Sequence, residues 1–126
     1  MELTPLESAI WEVETNSRVG EIWGDNHTSL GPLQISHAAW VDSGVEGEWM
    51  DCVDLDYAVI VFRKYMERYA TPERVGGSVT DENRARIWNG GPNGFRKENT
   101  IKYWLKVKRV MKIGSECAVS KGGFFH

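Results

Sequence analysis

The chain has 126 residues, of which 41% are hydrophobic and 26% are charged, and its net charge at pH 7 is −3. This length suits one domain with its own core, so we expect a single domain over residues 1–126, with a folded core at about 4–112 and a tail at 113–126. Because no stretch approaches the roughly 18 apolar residues that cross a bilayer, we expect no membrane insertion. The acidic start Met1–Pro5 has no basic region and no apolar region after it, so no signal peptide is visible.

Charge is distributed unevenly along the chain. Residues 1–60 carry one basic and twelve acidic side chains, whereas residues 61–126 carry fourteen basic and six acidic ones. Two interpretations stand side by side: the halves attract each other as solvated faces of one domain, or the basic half faces an anionic polymer such as a bacterial cell wall.

Two cysteines, Cys52 and Cys117, allow one disulfide or two free thiols, and their spacing does not decide between these. The histidines form no metal-ligand pattern with them. We therefore expect no metal site and no cofactor.

The first predicted element is a helix with a strong start signal. Thr4 can cap it, with Pro5 at the first helical position and Glu7 completing a capping box. Its apolar stripe is formed by Leu6, Ala9, Ile10 and Val13. On a helix with this stripe, Glu14 falls at the edge and is half-buried, while Glu12 points to solvent.

Residues 16–35 are rich in turn formers between short apolar pieces, which predicts a small β-hairpin or irregular sheet with Asp25 in or beside a turn. A short helix is then expected at Ser36–Ser43, closed by Gly44, followed by a loop at 47–51.

The second half is predicted to be helical. Asp54 caps the longest helix, which ends at Thr71-Pro72, and its buried stripe comprises Tyr57, Ala58, Val61, Phe62, Tyr65 and Tyr69. Another helix runs from near Thr80 to about Trp88 and leads into a loop at 89–94. The last helix is capped by Asn99, and loop is expected after Gly114. At helical spacing it carries Ile101, Trp104, Leu105, Lys108 and Met111.

Glu14 is the first candidate catalytic residue. Beside Ile10, Trp11 and Val13 its carboxylate loses hydration, and a helix C-terminus disfavours negative charge, so both effects raise its pKa toward the range of a general acid. The alternative is a surface glutamate that merely ends a helix.

Asp25 is the second candidate. Asn26, Thr28 and Ser29 offer hydrogen-bond donors that keep it ionised, as a nucleophile or charge stabiliser requires. The alternative is an Asx turn, in which the carboxylate caps its own backbone.

Six tryptophans are many for this length. Trp40 and Trp88 adjoin polar loops, so each is either a platform for a sugar ring or part of the core. In the loop at 89–94, glycines either let backbone amides approach a ligand or only form turns.

Several segments, in this order, resemble the invertebrate-type (i-type, destabilase) lysozymes. The resemblance runs from about Trp11 to Val107 and rests on Glu14, Gly24-Asp25, Ser29, Gly31–Ile35, Trp40–Asp42, Tyr65–Tyr69, Ala85–Gly94 and Tyr103-Trp104. Each motif is weak alone, but the ordered set is specific.

The resemblance implies a lysozyme-like α+β fold, mainly helical with a small hairpin or sheet near residues 18–35. It implies hydrolysis of the β-1,4 bond between N-acetylmuramic acid and N-acetylglucosamine, with Glu14 as general acid and Asp25 as nucleophile. The implied partner is bacterial peptidoglycan, with no nucleic acid, and the expected state is a monomer. The implied substrate-binding residues are Ser29, Gln34, Ser36, Trp40, Trp88, Asn89, Gly90, Gly91 and Asn93.

This chain departs from the family pattern in three ways. The family is cysteine-rich, whereas here only Cys52 and, approximately, Cys117 match its cysteine positions. The low cysteine content, together with the absence of a visible signal peptide, suits a phage endolysin that is released from the host cytoplasm to act on the cell wall. Trp88 replaces the histidine that usually precedes the Asn-Gly-Gly loop. The chain is also one residue shorter between Asp25 and Gly31. Apart from these departures, the strand at 31–36 equally resembles that of animal c-type lysozymes, whose second carboxylate falls where this chain has Ser29.

Two other functions remain open from the sequence. A lytic transglycosylase also combines one glutamate with a similar strand and loop, but needs no aspartate. A catalytically silent wall-binding or inhibitor-binding module would keep the fold without the reaction.

Overall fold

A computed structural model describes the backbone of residues 1–124 and the side chains of residues 1–115. The helices are α1 (Pro5–Thr15), α2 (His37–Ser43), α3 (Leu55–Tyr69), α4 (Pro72–Val75), α5 (Asp81–Gly90) and α6 (Ile101–Phe124). The strands are β1 (Trp23–Gly24), β2 (Ser29–Leu30) and β3 (Ile35–Ser36), and short 3-10 turns occur at Trp49–Val53, Gly94–Arg96 and Glu98–Thr100. Over residues 1–124, no helix has the length and apolar character needed to cross a membrane.

Helix α1 forms as its sequence predicts. The Thr4 hydroxyl accepts from the backbone N–H of Glu7, and the Glu7 carboxylate accepts from the backbone N–H of Thr4. Asn16 ends the helix in the left-handed conformation, with φ 56°. Glu14 therefore lies in the last turn, and it is half-buried as predicted; Glu12, predicted to be solvated, is partly covered too.

The predicted β element is a three-stranded antiparallel sheet with the order β1-β2-β3. Trp23, Leu30 and Ile35 are aligned across it, and so are Gly24, Ser29 and Ser36 in the next row. Since successive side chains of a strand point to opposite faces, these rows lie on different faces of the sheet. Leu30 and Ile35 are buried in the core, so the other face, with its two serines, is the polar one.

A tight turn between β2 and β3 fixes the sheet against the rest of the protein. Gly31 has φ +83°, and a Cβ added there would lie 2.1 Å from the backbone oxygen of Cys52, so only glycine fits. Gln34 also has a positive φ, 54°. Its Nε2 donates to the carbonyls of Gly31 at 3.0 Å and Ile22 at 3.1 Å, which closes the turn.

The core lies between the helices and one face of the sheet. Helix α3 buries most of its predicted stripe, Ala58, Val61, Phe62 and Tyr65, while its cap Asp54 accepts from the backbone N–H of Tyr57. Other fully buried large side chains come from α1, the sheet and its β2–β3 turn, α3, α5 and α6: Ile10, Leu30, Leu33, Ile35, Val59, Ile87 and Val107.

Four local predictions in loops and caps are wrong. The predicted loop at 89–94 starts too early, because Asn89 and Gly90 still belong to α5 and the backbone N–H of Gly91 donates to the Ile87 carbonyl. The predicted loop at 47–51 includes the start of a 3-10 turn, Trp49–Val53, because the Asp51 carboxylate accepts from the backbone N–H of Glu48. Asn99 is not the cap of α6 but lies inside the 3-10 turn that precedes it. Helix α6 continues past Gly114 to Phe124 where loop was predicted, since a glycine weakens a helix without ending it and no proline follows.

Two other features concern α6 and the cysteines. Ile101 and Leu105 are exposed, and among residues 101–115 of α6 Val107 is the buried one. Cys52 is buried in the core. The side chain of Cys117 lies outside the described residues, so pairing of the two cysteines stays a prediction.

Candidate active site

A cavity of about 170 Å³ opens where α1, the polar face of the sheet, α2 and the end of α5 meet. It is lined by Glu14, Asp25, Ser29, Gln34, Ile35, Ser36, Ala39, Trp88 and Asn89. Both candidate carboxylates therefore belong to one cleft. They have opposite surroundings, because Glu14 is half-buried and Asp25 is exposed.

Glu14 is held in this cleft as a weak acid. Burial raises the pKa of its carboxyl to about 7; a hydrogen bond from Tyr103 acts in the opposite direction, and the charge of Asp25 raises the pKa further. The Tyr103 hydroxyl donates to Glu14 Oε2 at 2.8 Å. At neutral pH the carboxyl is therefore protonated in a substantial fraction of molecules, as a general acid requires.

A second glutamate of α1 shows why burial alone does not give this result. Glu7 is buried as well, but its carboxylate accepts from Arg63 Nε and Nη2, both at 2.8 Å. Burial acts to raise its pKa, yet the bonds and charge of Arg63 and the Thr4 cap bring the pKa below its usual value. Glu7 lines a separate groove of about 630 Å³ that contains none of the predicted site residues. Glu14 has no such cation among the side chains of residues 1–115, so its carboxyl is not held in the ionised form by an ion pair.

The raised pKa of Glu14 predicts that the folded protein loses stability at pH values where Glu14 is ionised. Its protonated form favours the folded state, so this contribution is complete below the ordinary pKa of 4.5 and is lost as the pH rises to about 7. Glu14→Gln cannot ionise, so we expect it to be more stable than the wild type at about pH 8, by up to about 3 kcal/mol, and equally stable at about pH 4. Urea unfolding at the two pH values measures this, and equal stability at both would contradict a buried, ionising Glu14.

Asp25 is presented by an unusual turn. Asp25, Asn26 and His27 all have a positive φ, of 50°, 57° and 66°. Three consecutive positive φ values raise the conformational energy of residues other than glycine, and backbone strain of this kind is concentrated at functional sites. The Asp25 carboxylate accepts from Ser29 Oγ at 3.0 Å. The described contacts do not include an Asx-turn bond from this carboxylate to the backbone, so the alternative weighed from the sequence does not describe its geometry.

The cleft includes four more of the predicted substrate-binding residues, Gln34, Ser36, Trp88 and Asn89. Ser36 caps α2 by accepting from the backbone N–H of Ala39 at 3.1 Å. Trp88 is both part of the cleft and part of the core: its ring packs edge-on against Phe62 and Tyr65, and its indole donates to a backbone carbonyl of the turn before β3. The two interpretations of Trp88 are therefore compatible.

The other predicted residues lie outside the cleft lining. The Trp40 indole donates to Tyr57 at 2.9 Å, and its ring packs against His37. Gly90 ends α5, and Gly91 follows it with φ +88°. Asn93 accepts from Arg74 Nη2 at 3.1 Å, which ties the loop to α4. These residues shape the surroundings of the cleft.

Sequence reasoning missed three residues of the site. Ile35 and Ala39 line the cleft, and Tyr103 contacts Glu14 from α6. Tyr103 belongs to the Tyr103-Trp104 motif of the family resemblance, but neither its position in the sequence nor its residue type indicates a contact with a residue 89 positions earlier.

A helical body, a small sheet and a cleft with two unlike carboxylates define the class of lysozyme-like α+β proteins. The Destabilase family model matches residues 8–110, and the chain belongs to this family.

Sequence relatives support the same assignment. The chain is 40% identical over 102 residues to Lysozyme 1 of Crassostrea virginica, an alignment that covers 79% of this chain and 54% of that protein. It is 36% identical over 106 residues to a lysozyme of Meretrix lusoria, covering 82% of this chain and 85% of the relative. The chain thus spans about half the length of the first of these relatives.

Solved structures agree with the fold prediction. The chain matches the Meretrix lusoria lysozyme in complex with Aeromonas hydrophila PliI with a TM-score of 0.73 and 34% identity, over 85% of this chain and 88% of that one. It matches the Tapes japonica lysozyme with a TM-score of 0.71 and 28% identity, over 83% and 87% of the two chains. The predicted lysozyme-like α+β fold is confirmed.

Proposed function

We propose that this chain is a lysozyme that hydrolyses the β-1,4 bond between N-acetylmuramic acid and N-acetylglucosamine in bacterial peptidoglycan. The observation that carries the proposal is the pairing, in one cleft, of a half-buried Glu14 whose pKa is about 7 with an exposed Asp25. Family membership and the relatives named lysozyme support it.

In the proposed reaction, the Glu14 proton moves to the glycosidic oxygen as the bond from that oxygen to the sugar C1 breaks. The Asp25 carboxylate attacks C1 and forms a glycosyl-enzyme. Water then attacks C1, its proton returns to Glu14, and the bond to Asp25 breaks. Glu14 thus serves first as acid and then as base.

The remaining predicted residues receive supporting roles in this proposal. Ser29 orients Asp25 through its hydrogen bond. Gln34, Ser36, Trp88 and Asn89 contact the sugar from the cleft walls. Trp40, Gly90, Gly91 and Asn93 act on substrate binding through the shape of α2, of the end of α5 and of the loop that follows it.

The proposal includes a monomer that acts on the wall after release from a host cell as a phage endolysin. The low cysteine content supports this route, because a protein that folds in a reducing cytoplasm gains little from disulfides. A cleaved leader on the native gene product would contradict the release route and leave the reaction unaffected.

Mass spectrometry of digested, purified peptidoglycan tests the reaction. A hydrolase adds one water at each cleavage, so we expect muropeptides with a reducing N-acetylmuramic acid end. Products with a 1,6-anhydro end would instead identify a lytic transglycosylase. Binding to the wall without any cleavage would identify a silent binding module.

A further inference from the structure

Tyr103 is the one described side chain that hydrogen-bonds the Glu14 carboxyl, and it comes from a different part of the chain. It lies in the first turn of α6, whereas Glu14 lies in the last turn of α1. Its hydroxyl donates to Oε2 at 2.8 Å. Packing of the two helices therefore brings the phenol to the carboxyl from the side of the protein interior.

The two oxygens of Glu14 have different surroundings. Oε2 accepts the Tyr103 hydrogen bond, whereas Oε1 has no hydrogen-bond partner among the described residues. No described buried side-chain oxygen or nitrogen lacks a partner, so Oε1 retains contact with solvent. The surface open to it is the cleft that Glu14 lines.

We propose that Tyr103 is a positioning residue for the general acid: its hydroxyl holds Oε2, so that the transferable proton resides on Oε1 and faces the glycosidic oxygen. This inference rests on the proposed function. The bond suits both states of the acid, because Oε2 accepts from the phenol either as carbonyl oxygen of the neutral acid or as part of the carboxylate.

The phenol is suited to remain a donor throughout the reaction. Burial raises the pKa of Tyr103 well above its usual value of 10, and the negative charge of Glu14 and the hydrogen bond to it raise the pKa further. The phenol thus stays protonated when Glu14 ionises. Because its bond is stronger to the carboxylate, Tyr103 also prevents burial from raising the pKa of Glu14 further.

The test compares Tyr103→Phe with Tyr69→Phe. The first change removes the hydroxyl and keeps the ring. The second does the same in α3, where the described hydrogen bonds do not include the Tyr69 hydroxyl. We expect Tyr103→Phe to lower kcat about tenfold with KM nearly unchanged, and to move the alkaline limb of the kcat profile up by about one pH unit. Tyr69→Phe should leave both unchanged.

Carbon NMR of the Glu14 carboxyl separates this inference from the proposed function, because it needs no activity. We expect the Glu14 pKa to rise in Tyr103→Phe by the same amount as the kinetic limb, and to stay constant in Tyr69→Phe. An unchanged Glu14 pKa in a folded Tyr103→Phe protein would overturn the inference, as would lower thermal stability with an unchanged pH profile. If the pKa rises but wall lysis does not depend on Glu14, the contact stands and the proposed function fails.

Discussion

Glu14→Gln is expected to abolish wall lysis, with a loss of about a thousandfold or more, because the amide cannot donate a proton to the leaving oxygen. Glutamine is nearly the same size, and its side-chain oxygen can still accept the hydrogen bond from Tyr103. Folding and sugar binding should therefore be retained. Clearing of purified cell walls measures the lysis, and calorimetric titration with an oligosaccharide measures the binding.

Glu12→Gln is the matched control for this experiment. Glu12 lies on the same helix, is partly covered, and accepts from Ser17 Oγ at 2.9 Å, but it does not line the cleft. Its substitution should leave lysis within about twofold of the wild type, as for most surface changes. Full lysis by Glu14→Gln, or an equal loss in both variants, would place the acid elsewhere.

Much of the fold is predictable from local signals. The cap at Thr4, the glycine at 44 and the cap at Asp54 each act within a few residues, so a single sequence shows them. The same holds for the setting of Glu14, whose half-buried position follows from the spacing of apolar residues on α1.

What the sequence could not show depends on contacts between distant segments. The bond from Tyr103 to Glu14 and the ion pair of Glu7 with Arg63 join helices that are far apart in the chain. The contact with Arg63 explains why the pKa of Glu7 is lowered despite burial, whereas burial raises the pKa of Glu14 against the opposing hydrogen bond from Tyr103. Helical spacing on α6 likewise shows which residues share one side of the helix, but it does not show whether that side packs on the core. The sequence therefore did not indicate that Leu105 is exposed.

The two candidate positions for the second carboxylate lie side by side in the structure. The two lysozyme patterns place it either at Asp25 or at the position of Ser29. Here these residues are hydrogen-bonded to each other, with 3.0 Å between Ser29 Oγ and Asp25 Oδ2, and both line the cleft. The two patterns therefore indicate the same region of the cleft, and Asp25 is the acidic residue that lies there.

Asp25→Asn tests the role of that carboxylate. If Asp25 attacks C1, the amide cannot replace it, and kcat should fall at least about a hundredfold. The substitution keeps size and shape, and asparagine tolerates the left-handed backbone at this position, so the fold should be preserved. Since the Asp25 charge contributes to the raised pKa of Glu14, the Glu14 pKa should also fall in this variant. Kinetics on a soluble oligosaccharide and carbon NMR of the Glu14 carboxyl measure the two effects separately.

Asp56→Asn provides the comparison, because Asp56 is exposed on α3 and lies outside the cleft. It should change neither kcat nor the Glu14 pKa. A loss of only a few-fold in Asp25→Asn would mean that water, not a carboxylate, attacks C1. In that case the lower pKa of Glu14 would still show that the two groups interact, and the anomeric form of the first product would identify the water-based route. A large loss with retention of the anomeric form in the wild type would support the covalent route through Asp25.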